Sequence, residues 1–144
     1  MFMKHALDAA KNCENEIVIG AVIVKDNEII ASACNRKETL NDVSAHAEIL
    51  ALREAAKKLG SWRLYDCDLY VTLEPCPMCA WAIVQSGIRA VYFGSYDTNY
   101  GALGSVIDVR QPANSKLKVY GGIMEEECNK ILKDCFEKIR NRKN

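Results

Sequence analysis

Two short stretches carry residue types that could do chemistry together: Ser44-Ala45-His46-Ala47-Glu48, and Leu73-Glu74-Pro75-Cys76-Pro77-Met78-Cys79 about one βα unit further on. Cys76 and Cys79 are i and i+3, so on a helix beginning at Pro75 or Cys76 both sulfurs lie on one face of the first turn. Pro75 lacks the N–H that a first turn leaves unpaired anyway, and Pro77 still fits within that turn. The positive end of such a helix lowers thiol pKa and favours the thiolates that a zinc ion needs.

The His46 stretch reads as a second helix start, with Ser44 as N-cap and Ala45, Ile49, Leu52, Ala56 and Leu59 spaced for one buried face. His46 and Glu48 are two apart, which in mid-helix places them on nearly opposite sides. At a first turn, a metal lying beyond the helix end can be approached by both. One His and two Cys make three zinc ligands, and an open fourth position marks a catalytic rather than a structural site. That position holds water, whose pKa the metal lowers, while Glu48 takes the proton and later delivers it to a leaving group. The two stretches together describe a metal-activated hydrolase.

The elements that must position them follow from pattern. Phe2, Met3, Ala6, Leu7 and Ala10 predict an amphipathic helix ending near residues 12–15. Residues 17–24 and 29–34 read as a β-hairpin around Lys25-Asp26-Asn27-Glu28, and Gly20 within its first strand suggests a bulge or the close approach of a backbone or ligand. Asn35-Arg36 opens a polar loop running to Val43. Gly60 is a plausible helix C-cap, residues 67–73 a strand, the Cys76 helix runs to about Ser86, and residues 88–94 form another strand. Strand, helix, strand implies a parallel pair with a right-handed crossover, so both metal half-sites come from helix starts on one side of a sheet. Residues 95–109 are too irregular for a long element and read as a functional loop. Residues 117–120 form a short strand, and Cys128, Ile131, Leu132, Cys135, Phe136 and Ile139 mark a closing helix with a basic end at Lys138, Arg140, Arg142 and Lys143.

A chain of 144 residues, 49% hydrophobic, 26% charged and formally neutral, predicts one soluble domain, 1–144, with a full core. Neutrality argues against non-specific coating of nucleic acid, leaving RNA affinity to local basic patches such as the C-terminal end. Of seven cysteines, an odd count, Cys13, Cys34, Cys67, Cys128 and Cys135 remain after the metal pair and read as small core hydrophobes. Residues 1–10 have no cleavable signal architecture and no stretch is apolar enough for a membrane span, so a cytoplasmic setting with no membrane partner is expected.

His-x-Glu upstream of Pro-Cys-x-x-Cys is the signature of zinc nucleobase deaminases, and the chain resembles the zinc-dependent cytidine/deoxycytidylate deaminase superfamily. Phe93-Gly94-Ser95-Tyr96-Asp97 followed by Gly101-Ala102-Leu103-Gly104-Ser105 is similar to the bacterial tRNA-specific adenosine deaminases rather than to cytidine or guanine deaminases. The likeness covers nearly the whole chain and is densest at residues 44–52, 69–80 and 91–109. It implies an α/β fold, a cytidine deaminase-like three-layer α/β/α sandwich on a mixed five-stranded sheet, with one Zn2+ per subunit held by His46, Cys76 and Cys79. It also implies a homodimer whose neighbouring subunit shapes the RNA site. The implied reaction is attack of zinc-bound hydroxide at C6 of an adenosine at the wobble position of a tRNA anticodon loop, expelling ammonia and leaving inosine, with Glu48 as proton shuttle. Asn35 would contact the target nucleoside, Asp97 would lie near the ribose, and the Ala47 amide would help position base and water. Val18 and Val43 stand where the bacterial tRNA enzymes commonly carry Pro, which bears on loop geometry near the pocket.

Three rivals use the same residues. A deaminase of free guanine, cytosine or cytidine would share every metal residue and differ only in loops. A Cys-Pro-x-Cys thiol oxidoreductase usually carries its motif near the first strand, without His-x-Glu upstream. An RNA-binding module with a structural zinc needs a fourth protein ligand, and the only other histidine, His5, falls in the first helix.

Overall fold

Asp26 and Asn27 both adopt left-handed backbone, φ 50° and 64°, the two-residue turn whose twist suits a hairpin. They join β1 (Gly20–Lys25) to β2 (Glu28–Cys34), antiparallel, with a register shift between Ile23 and Val24. The computed structural model describes residues 1–142. On its other side β1 pairs antiparallel with β3 (Cys67–Leu73), which runs parallel to β4 (Ala90–Ser95), itself parallel to β5 (Lys118–Tyr120). The result is a mixed five-stranded sheet in the order β2-β1-β3-β4-β5.

Residues of β1 are buried on both faces, as a central strand between two helix layers requires. Ala21 and Ile23 join Leu69, Val71 and Val91 in a core shared with α2 (Ala47–Leu59) and α3 (Pro77–Ser86). Val22 and Val24 face the opposite way, against α1 (Phe2–Lys11) and Cys128 of α5 (Glu125–Arg142). This is the expected α/β/α sandwich. A single turn of helix, α4 (Arg110–Ala113), which the sequence reading does not anticipate, leads into β5.

Gly20 opens β1 and its amide donates to Thr72 Oγ1 at 3.2 Å. A Cβ there would come within 2.5 Å of the Ala10 nitrogen and collide with the Ala6 carbonyl, so the close approach is that of the α1 backbone. Because the obstacle is main chain, Gly20→Ala should destabilise by about 2–3 kcal/mol, read as a lower thermal midpoint with metal content unchanged.

Several boundaries differ from expectation, each for a local reason. Residues 17–19 do not join β1: the Ile17 carbonyl accepts from Asn35 Nδ2 at 3.2 Å and the Ile19 carbonyl from the Asn35 amide at 3.1 Å. α2 is capped at His46, not Ser44, whose hydroxyl donates to Asp42 Oδ1 at 2.7 Å instead. Its fully buried face is Ala47, Glu48, Ala51, Leu52 and Ala55, while Ile49, Ala56 and Leu59 are only half-buried. α3 begins at Pro77 with Cys76 as N-cap, so Pro77 rather than Pro75 takes the position that needs no N–H. Cys67, Cys128 and Cys135 are buried as expected, but Cys13 and Cys34 are half-buried neighbours. Burial and the adjacent Cys34 push the Cys13 thiol up to about 12, keeping it protonated.

Candidate active site

Helix starts build the centre of the site. His46 has extended backbone, φ −73° and ψ 153°, and only from Ala47 onward is the chain helical. That single non-helical residue frees the imidazole from the helix barrel, so His46 and Glu48 reach the same cavity although they are two apart. Cys76 has the same extended backbone before α3, φ −73° and ψ 173°, and Cys79 follows one turn later.

His46 Nδ1 lies 3.7 Å from Cys76 Sγ and 3.4 Å from Cys79 Sγ. Ligand atoms at ordinary zinc distances on two corners of a tetrahedron are separated by about 3.6 Å. The donor spacing therefore fits one zinc ion, and all three ligand atoms lie within 4.8 Å of one another. Three ligands would leave one position of a tetrahedron open, and His46 and Cys76 both line a cavity together with Glu48.

The electrostatics match a cation site. Hydrogen bonding from Cys79, with His46 beside it, holds the Cys76 thiol down at about 4 against the opposing effect of burial. The same contact with Cys76, together with burial, raises Cys79. His46 is raised, chiefly by its hydrogen bond with Cys76. Glu48 is 4% exposed. Burial pushes its carboxyl up to about 7, with its own backbone amide and the His46 cation acting the other way.

The cavity holds 710 Å³. Asn35, His46, Glu48, Cys76 and Asp97 all line it, whereas Ala47 and Cys79 are fully buried behind its wall. The Asn35 amide is held from both ends, donating to the Ile17 carbonyl and accepting from the Lys37 amide at 3.2 Å. The Asp97 carboxylate accepts from the amides of Asn99 and Tyr100 through Oδ1, at 2.9 and 3.0 Å, which leaves Oδ2 for a ligand.

Read from sequence, Tyr96 and Tyr100 sit in a functional loop, but none of the rim aromatics is given a role in binding. Phe136, taken there for part of the buried face of α5, is 51% exposed and lines the cavity with Tyr96 and Tyr100, 50% and 69% exposed. Their only sequence signal is an aromatic within a polar loop or one position off a helical stripe. Lys138, Arg140 and Arg142 are exposed on α5 beyond Phe136; Lys143 lies outside the described residues.

Fold and site together define a zinc-dependent hydrolytic enzyme. Residues 1–95 match the model for the cytidine and deoxycytidylate deaminase zinc-binding region, and the chain belongs to that family. It is similar to the tRNA-specific adenosine deaminase of Bacillus subtilis, 45% identical over 99% of this chain and 91% of the relative. A solved structure from a study of A-to-I editing by tRNA:A34 deaminases at the wobble position of transfer RNA superposes with a TM-score of 0.84, at 44% identity over 90% of this chain and 97% of that one. The guanine deaminase of Bacillus subtilis superposes with a TM-score of 0.64, also at 44% identity, over 68% of this chain and 64% of that one.

Proposed function

We propose that this chain is a tRNA-specific adenosine deaminase, a single catalytic domain that converts adenosine to inosine at the wobble position of an anticodon stem-loop. The observation that carries the reading is the lining of the cavity, where His46, Glu48 and Cys76 meet Tyr96, Tyr100 and Phe136, three rings that are half or more exposed. Exposed rings at a rim suit nucleotides stacking on either side of a flipped base, a service that a free base does not need. A loop nucleotide is already partly unstacked, so drawing it into a pocket costs little compared with extraction from a duplex. The near full-length likeness to the tRNA enzymes supports the same substrate.

In this mechanism His46, Cys76 and Cys79 would hold the zinc, which would supply the Lewis acidity that lowers the pKa of a water. Glu48 takes the first proton of the attacking water and gives it to the purine ring nitrogen, then carries the second, from the hydroxyl added at C6, to the amino group, so that the C–N bond breaks, ammonia leaves and the water oxygen stays on the base. Burial raises its carboxyl above the ordinary carboxylate range, which favours a group that takes up and returns protons. Asn35, locked by the Ile17 carbonyl and the Lys37 amide, presents its remaining N–H and lone pair to the nucleoside. The positive end of α2, which begins at Ala47 just behind the cavity wall, favours negative charge developing beside it. Asp97 Oδ2 accepts from a ribose 2′-hydroxyl.

An exposed apolar face favours a homodimer, and the likeness to tRNA-specific deaminases favours a cytoplasmic setting. Trp62 and Trp81 are 59% and 43% exposed, and Trp62 borders an apolar groove between α2 and α3 lined by Leu52, Ala56 and Ala82. A second copy covering this face would also bury more of Ile49 and Leu59. Among the described residues no helix is long and apolar enough to cross a membrane.

The test is an assay of inosine and ammonia release with an anticodon stem-loop, whole tRNA, free guanine and cytidine. Turnover of the stem-loop is expected, with KM rising with salt as Lys37, Lys138, Arg140 and Arg142 lose phosphate contacts. Asp97→Asn keeps an acceptor for the Asn99 and Tyr100 amides but turns an N–H toward the sugar, so it should narrow the preference for RNA over a DNA stem-loop by about tenfold. Efficient use of guanine with no action on the stem-loop would replace this reading by that of the guanine deaminase relative.

A further inference from the structure

Glu74 is a buried acid that the chemistry above does not use. It is 2% exposed, and none of the ion pairs among the described residues includes it. A carboxylate in such a place must be satisfied by hydrogen bonds, and all four of its donors belong to one loop. Oε1 accepts from the Asp97 amide at 3.2 Å and from the Ser105 hydroxyl. Oε2 accepts from the amides of Leu103 and Ser105, each at 3.1 Å.

The loop is wrapped around this carboxylate rather than resting beside it. Gly101 passes so close that an added Cβ would lie within 2.6 Å of Glu74 Oε1. Main-chain bonds close the ring: the Glu74 amide donates to the Ser95 carbonyl and the Ala102 amide to the Pro75 carbonyl, both at 2.9 Å. Glu74 stands two residues before Cys76, at the end of β3, so its backbone belongs to the frame that carries the metal ligands. Its side chain holds the segment that carries Tyr96, Asp97 and Tyr100 into the cavity.

Resting on the tRNA reading above, we propose that Glu74 is a positioning residue for substrate: it sets the distance between the metal centre and the loop that receives the nucleotide. It acts on binding through Asp97, not on the metal or on proton transfer.

Glu74→Gln isolates this role. A Gln nitrogen at the Oε2 position would face two N–H donors, whereas at the Oε1 position it can donate to the Ser105 hydroxyl and opposes only the Asp97 amide. The second orientation costs less, so the substitution releases the loop at Asp97 and leaves Leu103 and Ser105 held. The expected result with the stem-loop is a KM raised about tenfold, kcat within about twofold and zinc content unchanged. Amide hydrogen exchange across residues 97–105 should accelerate in the free protein. Combined with Asp97→Asn, the KM effects should fall short of the product of the two, because both act through one contact.

If Glu74→Gln does not fold, Ser105→Ala decides, since it removes only the hydroxyl donor: a KM raised about threefold with faster exchange in the loop is expected. A fall in kcat with KM unmoved, loss of zinc, or unchanged exchange and KM in the variant that folds overturns the proposal. If the unaltered chain fails on the stem-loop, the tRNA reading falls by itself, and the exchange measurement still decides whether Glu74 holds the loop.

Discussion

Cys79→Ala is expected to purify without metal and without deaminase activity, and so are Cys76→Ala and His46→Ala. Three protein ligands make one site, so the unaltered chain should carry about one zinc per chain, and losing any donor leaves two, too few to hold the ion. Cys79 is fully buried, and removing its sulfur also leaves a small void. Cys79→Ser controls for packing, because it nearly keeps the volume and removes the soft donor; it should lose metal as fully. Thermal melts add a reading independent of catalysis. Zinc at a thousand times its dissociation constant stabilises the unaltered chain by about 4 kcal/mol, so a chelator should lower its midpoint while leaving that of Cys79→Ala where it was. Full activity in a metal-free preparation would end the hydrolase reading, and activity that followed the redox state of Cys76 and Cys79 would point to thiol chemistry.

Glu48→Gln should keep its zinc and its fold and lose nearly all its rate. The side chain is buried at the first turn of α2, so Gln fills the same volume, but an amide cannot carry a proton between water and a leaving group. Removing a general acid–base group costs about 10²–10⁴ in rate. Here one group serves both the attack and the departure of ammonia, so a loss at the upper end is expected. Metal analysis beside single-turnover kinetics checks it. A matching loss of zinc would make Glu48 a ligand, and a loss below about tenfold would hand proton transfer to another group.

The parts that were legible in the sequence are those whose cause is local. Asp26-Asn27 encodes its own turn because both residues tolerate φ > 0. Residues 67–73 read as a strand and are one, because β-branched and aromatic residues there are bounded by turn chemistry. Cys76 and Cys79 stand three residues apart at one helix start, close enough for both sulfurs to meet, and a His, two Cys and a nearby Glu restrict the chemistry to few choices whatever the fold.

The remainder depended on packing between distant segments. The sequence could not show that His46 would cap its helix, since Ser44 is the better N-cap by type and lost the place to its bond with Asp42. Hydrophobic spacing put Ile49, Ala56 and Leu59 inward on α2 with Leu52, yet the face buried most deeply is centred on the small residues Ala47, Ala51 and Ala55, with Leu52 at its edge and the other three half-buried. The same rule buried Phe136, which the cavity leaves exposed. Periodicity reports how apolar a face is, not which neighbour it meets, and a helix with two apolar flanks can turn either to the core. Glu74 stands in plain sight beside the cysteine motif, but its four donors lie 23 to 31 residues away. Only when β3 and β4 pair in parallel does the loop that follows β4 close over the end of β3, bringing those donors onto the carboxylate where no spacing rule in a linear chain could find them.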